Sequence, residues 1–262
     1  MHEDPTVLYS EGGHECLAFN SLVSGEGIQA NQFLIVDGDH ACIIDPGGEL
    51  TYTPLAVAVG KHIDLKHLDY VFASHQDPDI IASLPRWLMQ TNCSVACSRL
   101  WTRFLPHLAS TFLTDQMQLK IGARIIGIPD GGETSELGDS RIKALPAHFL
   151  HSVGNFQFYD TTSRILFSGD MGASLVDSAP DAFVTDFDRH VPHMEGFHRR
   201  YMGSSKAVRL WVNMVRGLDV QMLVPQHGRP FRGPAMINHF LDWISGLDCG
   251  IDLLRQTSFI VP

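Results

Sequence analysis

Four short apolar runs in this chain each end in a side chain able to bind a metal ion, and that arrangement restricts the fold more than any other feature. Tyr70 to Ser74 (YVFAS) runs into His75, Ile142 to Leu150 into His151, Ile165 to Gly169 (ILFSG) into Asp170, and Leu223 to Gln226 (LVPQ) into His227. Short runs that are almost wholly apolar are expected of strands covered on both faces. Donors at the carboxyl ends of neighbouring strands converge, because the sheet fixes the backbones while the loops beyond remain free. The densest stretch is His75-Gln76-Asp77-Pro78-Asp79, with donors at alternate positions and a proline that stiffens the turn. Taken singly, each residue has an ordinary structural role, as a hydrogen-bonded histidine, a turn-forming Asp after Gly, or the loop end His227-Gly228. The argument rests on the four together.

The rest of the chain alternates strand and helix signals. Phe33 to Val36 and Ala41 to Ile44, joined by Asp37-Gly38-Asp39-His40, predict a hairpin that Asp45-Pro46-Gly47-Gly48 then breaks. Helical spacing is read around Leu55 to Lys61 and from Ile80 to Met89, with Pro85 as a kink or break. Val95 to Cys97 predicts a strand, Gln118 to Ile128 one or two more, and Pro129 to Gly138 a turn-rich loop. Strands are expected at Ile142 to Leu145, Asn155 to Tyr159 and Arg164 to Phe167. Helices are expected around His193 to Tyr201 and Ala207 to Leu218, then a strand at Met222 to Val224 and a helix from Ala235 to Leu247. The pattern implies an α/β sandwich of sheets with outer helices, a single domain over residues 1–262.

Charged residues make up 18% of the chain, below the roughly 25% of ordinary soluble proteins. That implies an ample core or a further covered surface, such as a homodimer interface. A formal net charge of −10, with no sizeable cluster of Lys and Arg, argues against nucleic acid as a partner. No apolar run nears the roughly 18 residues of a membrane span. The acidic start MHEDPTVLYSEGG lacks the regions of a secretory signal. No membrane insertion and a cytoplasmic location are therefore expected. Cys16, Cys42, Cys93, Cys97 and Cys249 read as buried thiols of a reducing compartment. Trp87, Trp101, Trp211 and Trp243 fall on helical patterns and read as core or dimer contacts.

Asp45-Pro46-Gly47-Gly48, the His75 to Asp79 motif, His151, Gly169-Asp170 and His227-Gly228 occur in the order of the metallo-β-lactamase fold. From about Asn31 to Trp243 the chain resembles that family. Its hydrolases carry H-x-H-x-D-H, and here Asp77 stands where their second His would be. A carboxylate at that place resembles the H-x-E-x-D pattern of the flavodiiron proteins. Ser74 to Ile80 (SHQDPDI), His151-Ser152 with Gly154-Asn155-Phe156, Phe197 to Met202 (FHRRYM) and Pro225 to Gly228 (PQHG) are most similar to their flavodoxin-lacking branch, the oxygen-binding diiron proteins. The step from His151 to Asp170 also suits the flavodiiron pattern.

The resemblance implies a metallo-β-lactamase-like αββα sandwich, two mixed β-sheets flanked by helices. It implies that His75, Asp77 and His151 hold a first iron, Asp79 and His227 a second, and that Asp170 bridges them. His148, just ahead of His151, is the rival for that ligand. Ile80 occupies the place where flavodiiron proteins usually have a further His, which leaves open positions on the second metal. Tyr201 is expected to face the metals, and Asp45, Ser74 and Ser152 are candidates to orient the histidines, with Asp45 read chiefly as shaping its own turn. On chemistry alone, three imidazoles and three carboxylates without a thiolate suit iron, manganese or zinc.

Beyond the last helix only Cys249 to Pro262 remain, so no flavodoxin domain and no bound flavin are expected. The expected function is a non-haem diiron protein, with two Fe ions, that binds O2 or NO. It would serve as a gas or redox sensor module with a signalling partner, or as an oxidoreductase fed by a separate electron donor. The alternative is a Zn- or Mn-dependent hydrolase acting on an ester, thioester or phosphoester, with a metal-bound water whose pKa falls towards about 7 as nucleophile. A signalling module with a structural metal is a third reading.

Overall fold

The computed structural model of the protein describes residues 4–23, 27–109, 121–176 and 183–261. Among these, seven strands form one sheet in chain order: β1 (Thr6–Glu11), β2 (His14–Phe19), β3 (Gln32–Asp37), β4 (His40–Ile44), β5 (Leu68–Ala73), β6 (Ser94–Ser98) and β7 (Ile125–Ile128). Strands β1 to β4 are antiparallel and β4 to β7 parallel. A second sheet holds β8 (Glu133–Leu137), β9 (Ser140–Pro146), β10 (Phe156–Asp160), β11 (Ile165–Phe167), β12 (Met222–Val224) and β13 (Phe231–Arg232), again in chain order. Within it only β11 and β12 run parallel.

Parallel neighbours need crossover connections, and helices supply them. Helix α1 (Glu49–Val59) links β4 to β5, while α2 (Pro78–Ile81) and α3 (Leu84–Gln90) lead from β5 to β6. Helices α4 (Phe187–His190), α5 (Glu195–Tyr201) and α6 (Ser205–Val215) lie between β11 and β12, and α7 (Pro234–Ser245) follows β13.

The two-residue period of a strand sorts its side chains between layers. In β3, Phe33 and Ile35 face the second sheet, whereas Leu34 packs outward with Leu55 and Trp87. Phe33 meets Phe167, and Phe72 meets Phe158, at ring separations of 4.8 and 5.0 Å between the sheets. On the far side, Leu166 and Leu223 pack under Trp211, Phe240 and Ile244. The layers are therefore helix, sheet, sheet, helix, and the runs that cross them are apolar on both faces as their sequences require.

Several boundaries differ from expectation. Helix α1 begins at Glu49, earlier than the Leu55 start read from spacing. Pro85 sits in the first turn of α3, where a missing N–H costs nothing, so the break falls ahead of it. Of the Gln118 to Ile128 stretch, Ile125–Ile128 is a strand and Ile121–Arg124 a 3-10 turn, while residues 118–120 lie outside the described residues. The Pro129 to Gly138 loop contains a strand, β8, because an edge strand paired on one side tolerates the exposed polar run Glu-Thr-Ser-Glu. Strands β1 and β2 have no counterpart in the sequence reading. Their hairpin turns on Gly12 and Gly13, at φ +62 and +86, a backbone that only glycine adopts readily.

The ends of β2, β3 and β10 meet in a buried ionic clasp between the sheets. His14 Nδ1 lies 2.9 Å from Asp37 Oδ1, and His14 Nε2 lies 2.8 Å from Asp160 Oδ2. Asp160 also accepts from Ser140 Oγ at 2.9 Å and from the backbone N–H of Ser163 at 3.0 Å. Two carboxylates facing both ring nitrogens select the imidazolium form. Burial opposes that charge, but the hydrogen bonds and charges of Asp160 and Asp37 outweigh it and raise the His14 pKa. Burial likewise opposes ionised Asp160, yet His14 and Ser163 bring its pKa down to about 2.

Candidate metal centre

The opposite end of the sandwich carries the donors. Because β4 and β5 are parallel, as are β11 and β12, their carboxyl ends open onto one edge. There the segment after β5 presents His75 and Asp77 from its loop and Asp79 from the first turn of α2, the β11 loop presents Asp170, and the β12 loop His227. His151 comes from the connection between β9 and β10, antiparallel strands whose turn faces the same way. Six side chains from four loops are thus brought together.

Their separations divide them into two groups about one carboxylate. On one side of Asp170, Oδ2 is 3.5 Å from His75 Nε2 and 2.6 Å from His151 Nε2. Asp77 Oδ2 completes that group, 3.8 Å from His75 Nε2 and 3.5 Å from His151 Nε2. On the other side, Asp170 Oδ1 is 3.5 Å from His227 Nε2, which is 3.6 Å from Asp79 Oδ2. Asp170 is 3% exposed, and among the described residues its Oδ1 has no hydrogen-bond partner. Nitrogen and oxygen ligands about 2.0–2.2 Å from a common cation stand roughly 3–3.5 Å apart. The observed separations are a slightly opened version of that geometry, closed to hydrogen-bond length only between His151 and Asp170. An orphaned buried oxygen on one side and an all-nitrogen-and-oxygen donor set on both fit two adjacent cations.

Electrostatics favour the charged carboxylate. Burial alone would raise the Asp170 pKa, but the His151 hydrogen bond and the charges of His75 and His227 lower it to about 2. The converse holds for His151, where burial is outweighed by Asp170, Asp77 and Asp79 and the pKa rises.

Each ring must expose Nε2 to serve a cation, and the far nitrogens of His75 and His227 are anchored accordingly. His75 Nδ1 lies 3.0 Å from Ser74 Oγ, as expected from sequence. His227 Nδ1 donates to the Gln29 carbonyl at 2.8 Å, a partner with no local sequence signal, since the two are far apart in the chain. Asp45 does shape its turn, at φ +57, and also accepts from the Ser74 backbone at 2.8 Å. Ser152 does not orient a histidine: its hydroxyl donates to Gln76. His148 does not join the convergent set either. Its Nε2 is turned to the Asp130 carbonyl at 2.8 Å and its ring packs on Phe156.

Sequence reasoning also missed His198. It is fully buried on α5, and burial lowers its pKa to about 4. Its Nε2 accepts the Gly172 N–H at 3.0 Å and its Nδ1 donates to the Met194 carbonyl, which holds the Asp170 loop against α5.

A cavity of about 860 Å³ opens over the centre, lined by Asp77, Asp79, His151, Asp170 and His227 and walled by Ile28, Leu50, Leu175 and Phe197. Tyr201 lines it too, 54% exposed, stacked on Phe197 at 4.7 Å and edge-on to His151 at 5.7 Å. Gly228 fixes the turn beside His227 at φ +81, and a Cβ there would lie 2.0 Å from Ser174 Oγ and 2.7 Å from the Ser174 carbonyl. Gly228→Ala is therefore expected to displace His227 and weaken zinc binding in the Asp79–His227 half by roughly 10-fold or more. Titration in a chain lacking His151 and Asp77 checks this, and unchanged affinity would refute it.

Known proteins of similar sequence share this fold. A solved structure described as the peroxy diiron species of chemotaxis sensor ODP is 38% identical, with a TM-score of 0.85 over 98% of this chain and 100% of that one. The apo state of chemotaxis sensor ODP from T. denticola is 39% identical, with a TM-score of 0.83 over 98% and 99% of the two chains. Among curated proteins, the putative diflavin flavoprotein A 4 of Synechocystis is 28% identical over 77% of this chain. The chain spans only 32% of that relative's length, and about half of the length of another curated relative. The fold is metallo-β-lactamase-like. The family described as ODP family beta lactamase matches residues 28–228, most of the chain, and the protein belongs to that family.

Proposed function

We propose that this protein binds molecular oxygen at two irons, one held by His75, Asp77 and His151 and the other by Asp79 and His227, with Asp170 between them, and that it serves as a gas sensor module. The reading is carried by the buried Asp170 carboxylate, which turns one oxygen to each His–Asp group. Relatives 38–39% identical over their full length, one described as a diiron species and both as a chemotaxis sensor, support iron and sensing over zinc-dependent hydrolysis. Nitric oxide, of similar size, is the second ligand the same site admits.

Irons bound there supply the reversible electron transfer that O2 or NO binding draws on. The chain supplies the rest. Ser74 and the Gln29 carbonyl hold two imidazoles with Nε2 inward, and the Asp170 loop is held by His198. The apolar walls at Ile28, Leu50 and Leu175 favour a small uncharged molecule over ions. Tyr201 presents a phenol able to donate a hydrogen bond to a ligand in the cavity.

Protein prepared with ample iron is expected to hold two irons per chain by elemental analysis, and the reduced protein to change its absorption spectrum on meeting air. A chain that stays colourless after anaerobic iron loading would overturn the reading. Sustained oxygen consumption with a broad-specificity reductant, followed at an oxygen electrode, would move the assignment from sensor to oxidoreductase.

A further inference from the structure

Gln226, the residue before His227, is fully buried where the two sheets meet above the inter-sheet core. Its side-chain nitrogen donates to Asp45 Oδ2 and, at 2.9 Å, to Ser74 Oγ, the atom that faces His75 Nδ1. Its backbone N–H donates to the Gly169 carbonyl at 2.9 Å, next to Asp170, and its carbonyl accepts from Asn31. One residue therefore touches the loops after β4 and β5 in the first sheet and after β11 and β12 in the second. The donor inventory leaves little freedom. Both amide hydrogens of Gln226 are used, one on Asp45 and one on Ser74 Oγ, which keeps a second lone pair for His75 Nδ1. A His75 that donates there has its own lone pair on Nε2, towards Asp77 and Asp170.

Apolar packing between sheets is not directional, whereas ligands contributed by both sheets need placement to within about 0.5 Å. We infer that Gln226 is a positioning residue for both metal positions: its amide fixes the His75 loop of one sheet against the His227 loop of the other. This rests on the two-metal site proposed above and adds how its halves are kept in register.

The test measures Zn2+ and Fe2+ affinity by competition with a chromophoric chelator, in chains reduced to one position by H227A or by H151A/D77A. Q226M, which keeps the side chain's length and removes its amide, is expected to weaken binding about 10–100-fold in both backgrounds. S74A, which removes the His75 link and one of the two bonds of the Gln226 amide but leaves the Gln226–Asp45 bond and the Gln226 backbone bonds, is expected to weaken binding chiefly in the H227A background. Adding S74A to Q226M in that background is expected to cost less than the two separate losses multiplied. Thermal melting of the metal-free chains follows the fold, and Gln226→Asn, which withdraws the amide by one methylene, carries the same test where Q226M does not fold. A change below about threefold in either background overturns the inference. A wild-type chain that takes zinc but not iron overturns the functional reading and leaves the Gln226 result standing.

Discussion

Asp170→Ala is expected to abolish metal binding in both halves of the site at once, whereas Asp79→Ala should empty only one. The asymmetry follows from position. Asp170 Oδ2 belongs with His75, His151 and Asp77, and Oδ1 with His227 and Asp79, so its removal leaves two cations facing each other without the charge that separates them. Even residues that merely orient a ligand cost about 10–100-fold in metal affinity when lost, so deletion of a shared ligand is expected to exceed 100-fold at each position. Zinc titration and elemental analysis of iron-loaded protein measure this directly. A D170A chain that still held one metal tightly would show that the carboxylate serves a single position. The variant should remain folded without metal, because among the described residues the Asp170 carboxylate closes to hydrogen-bond length only on His151.

The second large effect lies at the other end of the molecule. Asp160→Ala is expected to destabilise the fold by about 3–5 kcal/mol, the range for removing one partner from a buried ion pair. His14 keeps its Asp37 partner but loses Asp160 from Nε2, and Ser140 and Ser163 lose their acceptor. The loss should depend on pH in a defined sense. His14 is raised above its ordinary 6.5, so its contribution is complete below that value and fades as pH rises through the folded-state pKa. Asp160 falls from an ordinary 3.8 to about 2, so its contribution is present above 3.8 and is lost as pH drops towards 2. The deficit of the variant should be greatest between these limits, near pH 5, and shrink as pH rises through the folded-state pKa of His14. Urea unfolding of both chains across that range checks it. A deficit that keeps growing as pH rises above 6.5 would contradict an imidazolium at His14.

Local pattern revealed most of what is buried on both faces and little of what is not. The β3–β4 hairpin and strands β5, β10, β11 and β12 were legible because each is a short, largely buried apolar run, and β9 because Ile142, Ala144 and Leu145 mark its covered part. Strand β8 was hidden because an edge strand in solvent keeps a loop's composition, and β2 because His14 and Glu15 interrupt its apolar signal. The convergent donors could be found because each follows such a strand, and family resemblance then sorted them into two groups. Gln29, His198 and Gln226 could not be found that way. Each is an ordinary polar residue whose role depends on a loop many residues distant, and the chain carries no local mark of which loops will touch.

Helix α5 carries His198 beneath the Asp170 loop and, one turn further on, Tyr201 at the cavity wall. It is also bonded to the segment after Cys249, where its Arg199 carbonyl accepts from Gly250, and Ser204, just beyond its end, bridges to Gly250. A two-turn rod bonded on one side to the Asp170 loop and on the other to Gly250 has little room to tilt at one end alone. A shift of the carboxylate loop at the centre is therefore expected to carry the Gly250 segment with it, since one short rigid element bears the bonds to both.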